Sequence, residues 1–270
     1  MYELINKVKE INPLVLHYTN EVTINDCANV TLALGASPLM SYSDEEVQEI
    51  VSVANSIVIN IGTMNSSRLN LFVEAGKTAN KFNKPVILDP VGVFATKTRS
   101  DFTNKLLNEI KFDVVKGNIS EIKFIGGLDV RGKGVDSFDD DEDNSEVVKR
   151  VANKLGSIIV ATGKVDYISD GESVIKIKNG TVKLKSITGT GCMTGSLIGS
   201  YLGAYDTLVN SKEEITISKL EAVAMGVLTM GVSGELADIN NIAIGSFKEK
   251  LMNNVYEMNV DKLKEYARFE

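Results

Sequence analysis

Apolar runs alternate with stretches of helical spacing along this chain. Leu4, Ile5, Val8 and Ile11 recur at helical intervals, and Pro13 stops that helix before the short buried run Leu14-Val15-Leu16. A helix is predicted from about Val22 to Leu34, ending at Gly35. Ser43 followed by Glu46 reads as a capping box opening a helix to about Ala54. Ser56-Ile57-Val58-Ile59-Asn60-Ile61 is a β-branched run of the buried parallel type. A helix over about Ser67 to Phe82 and the strand Pro85 to Pro90 follow. The rhythm continues with a helix over about Ser100 to Ile110, a strand at Asp113 to Lys116 and a helix at Ser120 to Ile125. Then come a helix at Ser145 to Leu155 and the strand Ser157 to Thr162. Repeated βα units imply an α/β fold, a mostly parallel sheet covered by helices on both faces. Ligands of such sheets lie beyond the carboxyl ends of the strands, where Asn60, Asp89, Lys116 and Thr162 fall.

After Gly163 the period shortens to two. Asn179-Gly180, between Val174 to Lys178 and Thr181 to Lys185, reads as a hairpin turn. Two long helices rich in small residues are predicted from Cys192 to Tyr205 and from Ile217 to Leu236, and the C-terminus is helical. The acidic run Asp136 to Asp143 reads as a solvated loop. No repeat or linker divides the chain, so residues 1–270 are expected to form a single domain.

The 270 residues are 43% hydrophobic and 24% charged, enough for one sizeable core. A net charge of −7 argues against nucleic acid and against an anionic membrane as partners. Phosphate can still be bound locally by backbone N–H groups and helix ends. Cys27 and Cys192 lack metal-ligand spacing. Neither a secretory h-region nor a membrane-length apolar run is evident, so the expectation is a reduced, cytoplasmic protein.

The strongest local signal is the turn Gly189-Thr190-Gly191-Cys192, expected to follow a strand and open a helix. Its glycine spacing matches neither the dinucleotide fingerprint nor a Walker A loop. Backbone N–H groups at a glycine-flexed helix start can hold a phosphoryl group in transfer, although a tight connecting turn has the same sequence. Cys192, in the first helical turn, would have its thiol pKa lowered there and act as a general base, or it simply fills the turn. Asp89 and Glu121 supply hard oxygens suited to Mg²⁺, with helix-start stabilisation the other reading of Glu121. Lys116 and Thr162 are candidates for nucleotide phosphates. Asn20, Asn25 and Met40 are either pocket residues or caps and core filling, while His17 and Cys27 read as structural.

Five segments resemble the hydroxyethylthiazole kinase family in order and over nearly the whole chain. They are HYTNEVTINDCANVTLALGASPLM at 17–40, VILDPVGV at 86–93, VVKGNISEI at 114–122, ATGKVDYISDG at 161–171 and GTGCMTG at 189–195. The resemblance implies a ribokinase-like fold and ATP- and Mg²⁺-dependent phosphorylation of 4-methyl-5-(2-hydroxyethyl)thiazole. It implies that Met40 and Gly189 contact the thiazole with Asn20 and Asn25 nearby, that Lys116 and Thr162 contact ATP, and that Asp89 and Glu121 serve the magnesium. Cys192 occupies the place of the aspartate base of other ribokinase-like enzymes. It further implies a homotrimer with the thiazole pocket between subunits. The family pattern has arginine before Gly117; Lys116 keeps the charge without the planar fork, which bears on nucleotide affinity and preference. The other readings are a kinase of another small alcohol such as a hydroxymethylpyrimidine, and a nucleotide-binding sensor without transfer. A dinucleotide oxidoreductase is disfavoured by the glycine spacing.

Overall fold

The computed structural model describes residues 1–128, 143–211 and 216–270. Asp136 to Glu142, most of the acidic run, therefore lie outside the described residues. Strands β1 (Leu14–Tyr18), β2 (Ser37–Met40), β3 (Ser56–Asn60), β4 (Val86–Asp89), β5 (Val114–Asn118), β6 (Ile158–Thr162), β7 (Asp166–Ser169) and β8 (Val174–Ile177) form one sheet in the order β2-β1-β3-β4-β5-β6-β7-β8. Every pairing from β2 to β6 is parallel, and β7 and β8 close the sheet antiparallel.

The unbroken apolar runs are explained by what covers the two faces. One core takes Val15, Val58, Ile87, Val114, Ile158 and Val160. The opposite core takes Leu16, Ile57, Ile59, Val86, Leu88, Val115 and Ile159. Successive side chains point to opposite faces, so a strand buried on both needs no polar alternation. The first face is covered by α1 (Leu4–Ile11), α2 (Ile24–Leu34), α8 (Thr190–Asn210), α9 (Lys219–Ala237), α10 (Ile244–Tyr256) and α11 (Val260–Tyr266). The second is covered by α3 (Val47–Val53), α4 (Ser66–Lys81), α5 (Lys97–Glu109), α6 (Ile119–Ile125) and α7 (Ser145–Leu155). Among the described residues, α9 alone is long and apolar enough to cross a membrane. Here its side chains are buried against α8, α10 and the sheet.

Two local expectations are corrected. Asn179-Gly180 does not reverse a hairpin: Val182–Ser186 is a 3₁₀ helix, and the antiparallel hairpin joins β7 to β8 through Gly171 at φ 100°. Tertiary partners outcompete the turn. The Asn179 side chain donates to Glu235 and to the Tyr266 carbonyl, and Gly180 N–H donates to Glu235. The C-terminal segment then pairs with β8, Lys178 N–H donating to Arg268 O at 2.9 Å, and so covers the sheet edge. Nor do Ser43 and Glu46 form a capping box, since α3 begins at Val47 and the Glu46 carboxylate accepts from Ser41 instead. Boxes do form at Asn118/Glu121 and Ser218/Glu221.

The α8–α9 crossing depends on Gly226. A Cβ built there would lie 2.6 Å from the backbone nitrogen of Ile198, an atom that cannot rotate away. Overpacking of this kind costs about 2–3 kcal/mol. Gly226→Ala is expected to lower the urea midpoint accordingly, and an unchanged midpoint would show that the two helices can separate freely.

Candidate active site

Strand parity decides which polar residues meet. Asn60, Asp89, Lys116 and Thr162 stand two residues beyond Val58, Ile87, Val114 and Val160, so they share the face that packs on α8. The register pairs Asn60 with Asp89, and continuing the β4–β5 register sets Asp89 beside Lys116. Lys116 is not quite at its strand end, because β5 runs on to Asn118.

All three are buried and joined. Asn60 Nδ2 donates to Asp89 Oδ2 at 2.9 Å, and Lys116 Nζ lies 3.4 Å from the same oxygen. Asn60 Nδ2 also donates to Cys192 Sγ at 3.2 Å, as does Asn20 Nδ2 at 3.3 Å. Asn20 Nδ2 donates to Asn60 Oδ1 at 2.9 Å, and Asn20 Oδ1 accepts from Thr23 N–H. Asn20, Asn60, Asp89, Lys116 and Cys192 therefore form one continuous polar cluster.

The Gly189–Cys192 turn closes over this cluster. It follows the 3₁₀ helix, not a strand. Gly189 caps α8 at φ 92°, and a Cβ there would strike Thr23 at 2.7 Å, so glycine is required twice over. A Cβ on Gly191 would come within 3.3 Å of Lys116 Nζ, which places the buried cation directly beneath the turn. The first helical bond runs from Met193 N–H to Gly189 O, leaving the N–H groups of Thr190, Gly191 and Cys192 outside the helical ladder. Three N–H groups of a helix start and one ammonium thus belong to the same turn, a combination suited to an anion.

Burial governs the charges. It pushes Asp89 up from its ordinary range further than Lys116 and Asn60 pull it down. Burial works against the Lys116 charge, but Asp89, Cys192 and Glu121 outweigh it and hold the ammonium above its usual value. Burial, and next Asp89, also raise the Cys192 thiol against the pull of Lys116. The expected lowering by the helix start is thereby corrected: desolvation and a neighbouring carboxylate win.

Glu121 sits in the first turn of α6. Its Oε2 accepts from Asn118 N–H at 2.8 Å and its Oε1 from Gly92 N–H at 2.7 Å, so its helix-start role is realised. Burial and then Asp89 raise its carboxyl, so the two acids feel each other across the crevice. No group of three or more His, Cys, Asp or Glu side chains among the described residues forms a protein cage for a metal. Two buried carboxylates with hard oxygens are nevertheless the donor set that Mg²⁺ takes when water and phosphates complete its shell, so the residues fit that ion.

The remaining candidates lie apart. Thr162 ends β6 beside Asn118, its hydroxyl donating to Gly117 O at 3.3 Å. Met40 is half-buried on the edge strand, level with His17. Asn25 is exposed on α2 and accepts from Asn29, away from the cluster. His17 binds Val15 O at 3.0 Å and Ser196 Oγ at 2.9 Å, and burial drops its pKa to about 4, so it is a neutral tie between β1 and α8. Cys27 is buried in α2, its thiol pushed to about 11 by burial. Asn60, which its strand-end position groups with Asp89, Lys116 and Thr162, is the central residue of the cluster, although its residue type alone assigns it no role.

A model of the hydroxyethylthiazole kinase family matches residues 5–261 of this chain. The hydroxyethylthiazole kinase of Clostridioides difficile strain 630 is 63% identical over 270 residues, covering 100% of this chain and 99% of the relative. A solved structure of hydroxyethylthiazole kinase from Pyrococcus horikoshii OT3 superposes with a TM-score of 0.86 at 34% identity, over 100% of this chain and 97% of that one. A ribokinase-like superfamily protein from Enterococcus faecalis V583 shares the fold alone, with a TM-score of 0.62 at 14% identity over 94% of this chain and 88% of its own. The fold is ribokinase-like, and the chain belongs to the hydroxyethylthiazole kinase family.

Proposed function

We propose that the chain, acting as one ribokinase-like domain over residues 1–270, transfers the γ-phosphoryl group of ATP to the hydroxyl of 4-methyl-5-(2-hydroxyethyl)thiazole. The observation that carries this reading is the Gly189–Cys192 turn lying directly over Lys116, with Asn60 tying Cys192 to Asp89, in a chain of this family. Phosphoryl transfer needs positioning and charge stabilisation more than covalent help. The N–H groups of Thr190, Gly191 and Cys192 receive the equatorial phosphoryl oxygens, and Lys116 balances their charge from below.

Asp89 and Glu121 are the residues that would hold Mg²⁺, which when bound neutralises charge on the nucleotide phosphates. Lys116 and Thr162 face the nucleotide from β5 and β6. On the alcohol side, Asn20 and Gly189 flank Cys192, and Cys192 Sγ accepts the hydroxyl proton as the oxygen attacks phosphorus. Asn25 is exposed and Met40 lies on an edge strand, so both are open to a second subunit. A homotrimer whose thiazole pocket is completed between subunits is the assembly that the family resemblance implies. Both cysteines are free thiols, in keeping with a reduced cytoplasmic setting.

Purified protein with Mg²⁺-ATP is expected to form the thiazole phosphate, with a higher kcat/KM for hydroxyethylthiazole than for a hydroxymethylpyrimidine. Nucleotide binding with no phosphorylated thiazole would refute the assignment. For Cys192 the sign of the pH effect follows from its raised pKa. The sulfur accepts a proton only as thiolate, so kcat should climb as pH rises through that value, and the climb should vanish in Cys192→Asp, which retains or raises activity. Cys192→Ala should lose about 10²-fold in kcat; an alanine variant as fast as the parent would remove the base role from this residue.

A further inference from the structure

Arg99 projects from the first turn of α5 and touches none of the residues named above as contacting substrate, yet it grips three main-chain carbonyls on the loops that follow two site strands. Its Nη1 donates to Ile61 O at 3.0 Å and to Val91 O at 2.8 Å, and its Nη2 donates to Gly62 O at 2.8 Å. Ile61 directly follows Asn60, and Val91 follows Asp89 by two residues.

The far sides of two of these peptides lead into the site. The peptide whose carbonyl is Ile61 O carries the Gly62 N–H, which donates to Asn60 Oδ1 at 2.8 Å. The peptide whose carbonyl is Val91 O carries the Gly92 N–H, which donates to Glu121 Oε1 at 2.7 Å. A peptide group is planar and rigid, so fixing its oxygen fixes the direction of its N–H. A cation on the carbonyl also polarises the amide and strengthens the bond on its other side. With its Oδ1 pinned, Asn60 can aim Nδ2 only where it is seen, at Asp89 and Cys192. Gly92, at φ +67°, has the conformational freedom of glycine, and the Arg99 bond to Val91 O restrains the peptide plane that carries its N–H.

We propose that Arg99 is a positioning residue for the transfer reaction: through two rigid peptide planes one guanidinium sets the aim of Asn60 and of Glu121 together. The fork geometry matters. Three carbonyls on two loops require two nitrogens at a fixed spacing, which a lysine ammonium cannot supply. The kinetic part of the proposal rests on the kinase reading, whereas the geometric part does not.

Two measurements separate these parts. In steady-state assays on the full chain, Arg99→Ala should lower kcat by about 10²-fold, as displacement of positioned groups does. KM for the alcohol should change little, and Arg99→Lys should recover only a minor part of the loss. Added guanidinium ion should restore kcat to Arg99→Ala but not to wild type. In a double-mutant cycle with Asn60→Ala, the combined loss should fall well short of the product of the single losses, since both act through one amide. Independently of any turnover, the pH midpoint of Cys192 alkylation, read by mass spectrometry on its peptide, should rise in Arg99→Ala because the sulfur loses an aimed N–H donor. Thermal unfolding run alongside identifies variants that fail to fold, for which Arg99→Lys carries the test. Multiplicative losses, absent guanidinium rescue, or an unchanged or lowered Cys192 midpoint in a folded variant would overturn the proposal. If wild type phosphorylates no thiazole, the kinase reading fails and the alkylation midpoint still decides the role of Arg99.

Discussion

The ammonium of Lys116, buried 3.4 Å from Asp89 and directly under Gly191, sets the terms for everything around it. Taking an ion out of water costs several kcal/mol after relaxation, and a single carboxylate contact at that distance does not repay it well. The surroundings compensate in other ways. Asn60 donates to Asp89, Glu121 and Cys192 add negative potential, and the turn above keeps a glycine where any Cβ would crowd the ammonium. A pair arranged for stability alone would bury apolar groups here. A buried cation kept charged by its neighbours beneath a helix start is instead the arrangement that the proposed phosphoryl-transfer role requires.

That preparation depends on rigidity. The residues about the anion turn stand on strand ends of a sheet buried on both faces, and their side chains are held by main-chain peptides that are themselves held. Asn60 illustrates the chain of constraint. Gly62 N–H and Asn20 fix its oxygen, and its nitrogen is then shared between Asp89 and Cys192. On the proposed kinase reading, donors fixed before any ligand arrives need little reorganisation during transfer. The α8 helix delivers the turn, and its own position is set by His17 bonding Ser196 and by the close approach of α9 at Gly226. Core packing and chemistry are therefore coupled through a single helix.

Cys192 shows how environment overrides local type. A cysteine at a helix start is expected to ionise easily, but burial and Asp89 raise its thiol. The same burial that opposes its ionisation ties any base role for Cys192 to the fraction of thiolate, and hence to pH.

Much of this molecule was legible in the sequence. The apolar runs at Ile57 to Ile59, Ile87 to Leu88 and Ile158 to Val160 report burial on both faces, a local property that periodicity encodes. The polar residues closing those runs, Asn60, Asp89 and Thr162, likewise stand where the pattern put them, because strand parity is fixed at two residues, whereas the glycine turn at 189–192 opens its helix as expected but leaves a 3₁₀ helix and not a strand. Other features depended on partners far away in sequence. Asn179-Gly180 has the local signature of a hairpin but is claimed by Glu235 and Tyr266. The linkage from Arg99 through Ile61 and Val91 to Asn60 and Glu121 leaves no periodic trace, since it consists of peptide planes meeting across loops. The sequence by itself determined the layered fold and the residues available for chemistry, because burial is written into local hydrophobic spacing. Only the tertiary structure decided which donor meets which acceptor and how the Cys192 thiol is tuned, because hydrogen-bond partnership and desolvation are set by neighbours that the chain brings together only on folding.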